Sequence, residues 1–187
     1  MEVNSLLSAT KQAVDAYIMD RIYERVAQAS VVHPRYERLW REIARIYQAG
    51  GKRIRPYLTV VGYGELDKAI VPVAAVQELL HLAMLVHDDI LDQDALRHSQ
   101  ATVNGAYETD YASLLPAQQT THYANSVALL AGDALLSEAY HSVQLAPFSS
   151  LVIRQLSERL SQSVFEAIGG ELIDVEAGFI MTEKFDP

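Results

Sequence analysis

The run His87-Asp88-Asp89-Ile90-Leu91-Asp92 places three carboxylates at the end of an otherwise apolar stretch. In a helix, Asp88 and Asp92 lie one turn apart on one face with Asp89 beside them, so their like charges repel unless a cation sits between them. Hard oxygen ligands with open positions suit magnesium, and magnesium suits a diphosphate. Alone, so short a motif fits equally a solvated acidic helix end. Going back one turn at a time, the same face meets Met84 or Leu85, then His81, then Gln77 or Glu78. A lone histidine on an apolar face is more often a satisfied core residue, but its alignment with the aspartates favours function. Isolated charges are expensive to bury, so such a stripe lines a wet, charged cavity.

The segment Lys52-Arg53-Ile54-Arg55 supplies the complementary charge. Gly50-Gly51 ends the preceding helix and lets the backbone turn, while Pro56 opens the next helix without wasting an amide donor. Lys52 and Arg55 then sit at a helix N-terminus, where an ammonium, a guanidinium fork and free amides together favour a phosphate group. Taken alone, the cluster reads equally as a solvated basic turn. Arg97 follows Asp92 by five residues, within reach of a phosphate held by metals at the aspartates, and His98 adjoins it.

These residues need a scaffold, and the chain supplies a helical one. Its 187 residues, half of them hydrophobic, suffice for one domain with a substantial core. A formal net charge of −9 argues against non-specific nucleic-acid binding and makes the basic cluster local. The lack of cysteine rules out disulfides, thiolate catalysis and cysteine-ligated metal centres, and fits a reducing cytoplasm. No signal peptide is visible, and the apolar residues 69–86 are interrupted by Gln77, Glu78 and His81, which reads as a buried core helix and not a transmembrane segment. Periodicity predicts an all-α bundle with helices over about residues 4–29, 33–48, 56–62, 71–93, 123–145 and 149–178, without convincing strands. Residues 97–123, with Gly105 and Pro116, read as a loop with room for one short helix.

In its order of motifs the chain resembles the trans-isoprenyl (polyprenyl) diphosphate synthases. The matching residues are Gly51-Lys52-Arg53-Ile54-Arg55-Pro56, His81, His87-Asp88-Asp89-Ile90-Leu91-Asp92, Arg97 and Ala131-Gly132-Asp133, and the resemblance spans residues 39–174. It implies an isoprenoid-synthase-type bundle of long helices around a central cavity, usually dimeric, with two aspartate-rich motifs facing each other. It further implies that Asp88, Asp89 and Asp92 bind magnesium and an allylic diphosphate, that Lys52, Arg55 and His81 bind isopentenyl diphosphate, and that Arg97 contacts the allylic diphosphate. The implied reaction is head-to-tail elongation: the metal draws off the leaving diphosphate, the isopentenyl double bond attacks the allylic cation, and a proton is lost. Ala83 and Met84, just upstream of Asp88, would form the floor that limits product length.

The departures are equally specific. The family usually follows Arg97 with a second arginine and a glycine; His98-Ser99 stand here, making that contact to isopentenyl diphosphate weaker or pH-dependent. Gly170-Glu171 replaces a usual Gly-Gln, and residues 107–122 read as an insertion over the site. The later Lys-Thr pair and second aspartate-rich motif are missing, since Asp174, Glu176 and Glu183 do not make that pattern. The expectation is therefore the N-terminal part of a longer prenyltransferase domain, or a half-protein needing a C-terminal half or partner subunit. Rival readings are a terpene cyclase-like enzyme, which leaves Lys52 to Arg55 unexplained, and a non-catalytic regulatory subunit.

Overall fold

The computed structural model describes residues 3–180. Glu183 lies outside the described residues. The chain divides into two compact units, residues 1–146 and 147–187.

In the first unit, helix α1 (Val3–Val32) buries Val14, Ile18, Ile22 and Val26 at every fourth position, a stripe that a helix presents to one side. Helix α2 (Pro34–Gln48) begins where His33 turns extended and its Nδ1 accepts from the Arg35 amide at 3.1 Å, with Pro34 in the first turn. Leu39, Trp40, Ile43, Ala44 and Tyr47 form its buried face. Helix α3 (Ile54–Tyr63) follows, and Asp67 then caps α4 (Ile70–Leu91) by accepting from the amides of Ala69 and Ile70 at 2.8 and 3.0 Å.

Helix α4 is long and apolar enough to cross a membrane by length and composition, yet it packs against α1, α3 and, most extensively, the last helix of the unit, α6 (Ala117–Leu145). Small buried residues on both partners, Ala74, Ala75 and Ala83 on α4 and Ala124, Ala128, Ala131 and Ala139 on α6, allow close approach of the two axes. Gly132 belongs to this set because a Cβ there would lie 2.1 Å from Nε2 of His87. The second unit holds α7 (Ser150–Ile180), which carries Gly170, Glu171, Asp174 and Glu176 within one continuous helix.

The all-helical expectation holds with three local corrections. Helix α3 starts at Ile54, two residues before Pro56, which therefore lies inside the first turn. Strands are present, though minimal: β1 (Leu96–Arg97) pairs antiparallel with β2 (Gln100–Ala101). His98 and Ser99 between them have φ of 49° and 64°, the positive values a two-residue type I′ hairpin turn requires. Such turns are read from Asn-Gly or Asp-Gly pairs, so His-Ser gave no signal. Finally, residues 97–123 hold more regular structure than a loop with one short helix. They contain the hairpin, helix α5 (Val103–Tyr111) and the start of α6 at Ala117, and α5 packs chiefly on α6.

Candidate functional site

A cavity of about 490 Å³ opens between the end of α2, the turn into α3, one face of α4 and the β-hairpin. Its α4 wall is Glu78, His81, Leu82, Leu85, Val86 and Asp89. The turn contributes Lys52 and Arg55, and the hairpin contributes Arg97 and His98. Of the sequence-predicted residues, Lys52, Arg55, His81, Asp89, Arg97 and His98 thus share one space, and none of residues 107–122 lines it.

Asp88 and Asp92 do not line that cavity. One residue advances a helix by about 100°, so Asp89 faces the cavity while Asp88, with Met84 one turn before it, takes the adjoining face. Asp92 caps the helix and is exposed. Among the described residues no three His, Asp or Glu side chains converge on a single ion position. Arg97 joins the two faces: its Nε donates to Asp89 Oδ1 at 2.8 Å and its Nη2 to Asp88 Oδ2 at 2.9 Å. Asp89 is only 5 % exposed, and burial pushes its carboxyl above the usual range despite the opposing pull of Arg97. Burial, followed by the positive charge of Arg55, holds His81 below the ordinary imidazole value. His81 therefore enters the cavity as a neutral hydrogen-bonding group at neutral pH.

The hairpin that presents Arg97 and His98 is fastened at its base. Arg45 Nη2 donates to the Ala101 carbonyl at 2.6 Å, and Thr102 Oγ1 and Asn104 Nδ2 both donate to the Asp94 carbonyl at 2.9 and 3.0 Å. Thr102 also caps α5 by accepting from the Gly105 amide at 3.1 Å. Position 105 has no room for a side chain, since a Cβ on Gly105 would lie 2.1 Å from the Ala95 carbonyl oxygen. Sequence reasoning missed Arg45, Thr102 and Asn104, whose only signal was the Thr102-x-x-Gly105 spacing of a helix start.

Between the two cations of the turn, Arg53 goes the other way. Its backbone is left-handed (φ 54°, ψ 40°) and its side chain is buried. Lys52 and Arg55 remain exposed and make no ion pair among the described residues. Two uncommitted cations, with His81 opposite and the amides at the start of α3, can bind a diphosphate. The donor set at Asp88, Asp89 and Asp92 also fits magnesium, which takes one or two carboxylates and fills its remaining positions with water and phosphate oxygen. A closed cage of three protein ligands is not needed.

A family model described as polyprenyl synthetase matches residues 37–186. Among curated proteins, the chain is 32 % identical over 144 residues to the short chain isoprenyl diphosphate synthase of Methanocaldococcus jannaschii, covering 75 % of this chain and 38 % of that one. It is 29 % identical over 140 residues to the farnesyl diphosphate synthase of Bacillus subtilis, covering 70 % and 42 % respectively. In fold it is similar to a geranylgeranyl pyrophosphate synthase from Corynebacterium glutamicum, solved with isoprenyl diphosphate and magnesium, at a TM-score of 0.79 and 22 % identity over 95 % of this chain and 51 % of that one. The chain thus spans about 40 % of the length of the curated relatives it matches. Since the match takes in the basic turn, α4 with its aspartates and the hairpin, the chain belongs to the polyprenyl synthetase family.

Proposed function

We propose that this chain supplies the isopentenyl diphosphate site and the first aspartate-rich motif of a prenyltransferase that elongates an allylic diphosphate. The observation that carries the reading is the division of charge about Arg97. On one side lies a cavity with uncommitted Lys52 and Arg55; on the other lie Asp88 and Asp92. One substrate needs cations alone, the other needs carboxylates bridged to its diphosphate by a metal, and two such surfaces meet along one helix.

Lys52 and Arg55 would hold the isopentenyl diphosphate, with His81 donating or accepting a hydrogen bond as a neutral group. Leu82, Leu85 and Val86 give the cavity an apolar wall that keeps water from the reacting carbons. Asp88, Asp89 and Asp92 would hold magnesium, which when bound neutralises the allylic diphosphate as it leaves. Arg97, already between the two surfaces, would turn from the carboxylates to that diphosphate and fix its place.

The test is an elongation assay with an allylic diphosphate, labelled isopentenyl diphosphate and magnesium, run on the chain alone and with a co-expressed C-terminal portion of a relative. The expected result is a longer prenyl diphosphate in the complemented sample, lost in Asp88→Asn. A cyclic hydrocarbon made from the allylic substrate alone would replace this reading with the cyclase one.

A further inference from the structure

The basic turn contains three cations, and the one that does not face solvent has the most partners. Arg53 is 5 % exposed. Its Nε donates to Asp15 Oδ1 at 2.7 Å and its Nη1 to Glu78 Oε1 at 2.7 Å, while Nη2 reaches the Tyr47 carbonyl at 3.3 Å. The guanidinium lies 4.3 Å over the Tyr47 ring, whose hydroxyl donates to the same Asp15 oxygen at 2.6 Å. Gly51 leaves the room, because a Cβ there would come within 2.5 Å of Nη1. One side chain therefore joins α1, α2 and α4 directly beneath the turn that carries Lys52 and Arg55.

Glu78 is the reason this arrangement bears on binding. It lines the same cavity, one turn before His81, and an anionic carboxylate there opposes the entry of a diphosphate. As a source of stability a buried ion pair is a poor device, since apolar residues of similar size usually do as well or better. As a way of placing a balanced acid in the wall of a cationic cavity it is effective. Asp15 does not need Arg53 for its own charge, because Lys11 Nζ also donates to it at 2.7 Å.

Building on the function proposed above, we infer that Arg53 is a positioning residue that acts through Glu78: it cancels this carboxylate, so that the cavity presents net positive charge to a diphosphate. Arg53 itself does not touch the substrate.

The probe is inorganic pyrophosphate without metal, titrated calorimetrically into the whole chain. Wild type should bind, and Lys52→Ala should weaken binding, which establishes the site. Arg53→Gln, which leaves Glu78 unbalanced, should weaken binding roughly tenfold or more. Arg53→Gln combined with Glu78→Gln should return to within about threefold of wild type, because the offending charge is gone. A purely structural role predicts the opposite, a double variant as weak as Arg53→Gln, and that result overturns the inference, as does a folded Arg53→Gln with wild-type affinity. Should Arg53→Gln fail to fold, Glu78→Gln alone decides: Arg53 stays on Asp15, the cavity gains positive charge, and binding tightens by about two- to fivefold. Unchanged or weaker binding in that variant overturns the inference. No pyrophosphate binding by wild type would defeat the diphosphate site and this inference with it, whereas wild-type binding with an indifferent Arg53 would defeat only the latter.

Discussion

Arg97→Gln is the substitution whose effect the geometry defines most closely. It removes the only side chain that bridges Asp88 and Asp89 among the described residues. The Asp88 half of the clamp is about one-third exposed on both partners (31 % and 33 %), so it contributes roughly 0.2–1 kcal/mol. The Asp89 half ends on a carboxylate whose side chain is 7 % exposed, and a charge-assisted hydrogen bond there contributes about 1.5–3 kcal/mol. The expected loss at neutral pH is therefore about 2–4 kcal/mol.

Its pH dependence follows from Asp89. Burial raises this carboxyl above its unfolded value even with Arg97 in place, and removing Arg97 raises it further. For a group raised on folding, the associated stability is fully present below the unfolded pKa and is lost as pH rises through the folded one. The difference between Arg97→Gln and wild type should then be widest at pH 7 and shrink at an acidic pH where Asp89 carries its proton. Urea unfolding followed by circular dichroism at both pH values measures this difference. A loss below about 0.5 kcal/mol at neutral pH, or an equal loss at both, would refute the reasoning.

Three further outcomes follow from the hairpin and α4. Ser99→Gly should stabilise the chain by about 1 kcal/mol in urea unfolding, because a non-glycine residue at a φ of 64° carries a steric penalty that glycine lacks; a destabilised variant would mean that Ser99 makes a contact outweighing its strain. Gly105→Ala should cost about 1–3 kcal/mol, since the added methyl meets the Ala95 backbone carbonyl and not a side chain that can swing away, and an unchanged melting temperature would contradict the close approach. Met84→Phe, in the elongation assay, should shorten the product, because Met84 lies half-buried one turn before Asp88 on the face that adjoins the cavity wall. An unaltered product distribution would move the floor elsewhere.

The helices that carry the site were legible because their apolar residues repeat on one face, as Val14, Ile18, Ile22 and Val26 do in α1. The basic turn was legible because Gly50, Gly51 and Pro56 punctuate it, and the aspartates because they end an apolar run. What the sequence hid was direction. Nothing in Lys52-Arg53-Ile54-Arg55 says that the middle cation turns inward, since that depends on a left-handed backbone at Arg53 and on acids from α1 and α4. Equally, Arg97 could be placed near a bound phosphate but not onto Asp88 and Asp89 themselves, because the reversal that brings it back rests on a hairpin turn without glycine. Residues 97–123 read as a loop with one short helix because their polarity masks the hairpin and the early start of α6 at Ala117, just after Pro116.

The central claim is that a metal-independent diphosphate site and a metal-dependent one adjoin along α4. Calorimetric titration tests it directly: isopentenyl diphosphate without magnesium, then an allylic diphosphate with it, into wild type, Lys52→Ala with Arg55→Ala, and Asp88→Asn with Asp92→Asn. The account predicts that the basic-turn variant loses the first binding event and keeps the second, while the aspartate variant does the reverse. Loss of both events in both variants, or of neither in either, would contradict it.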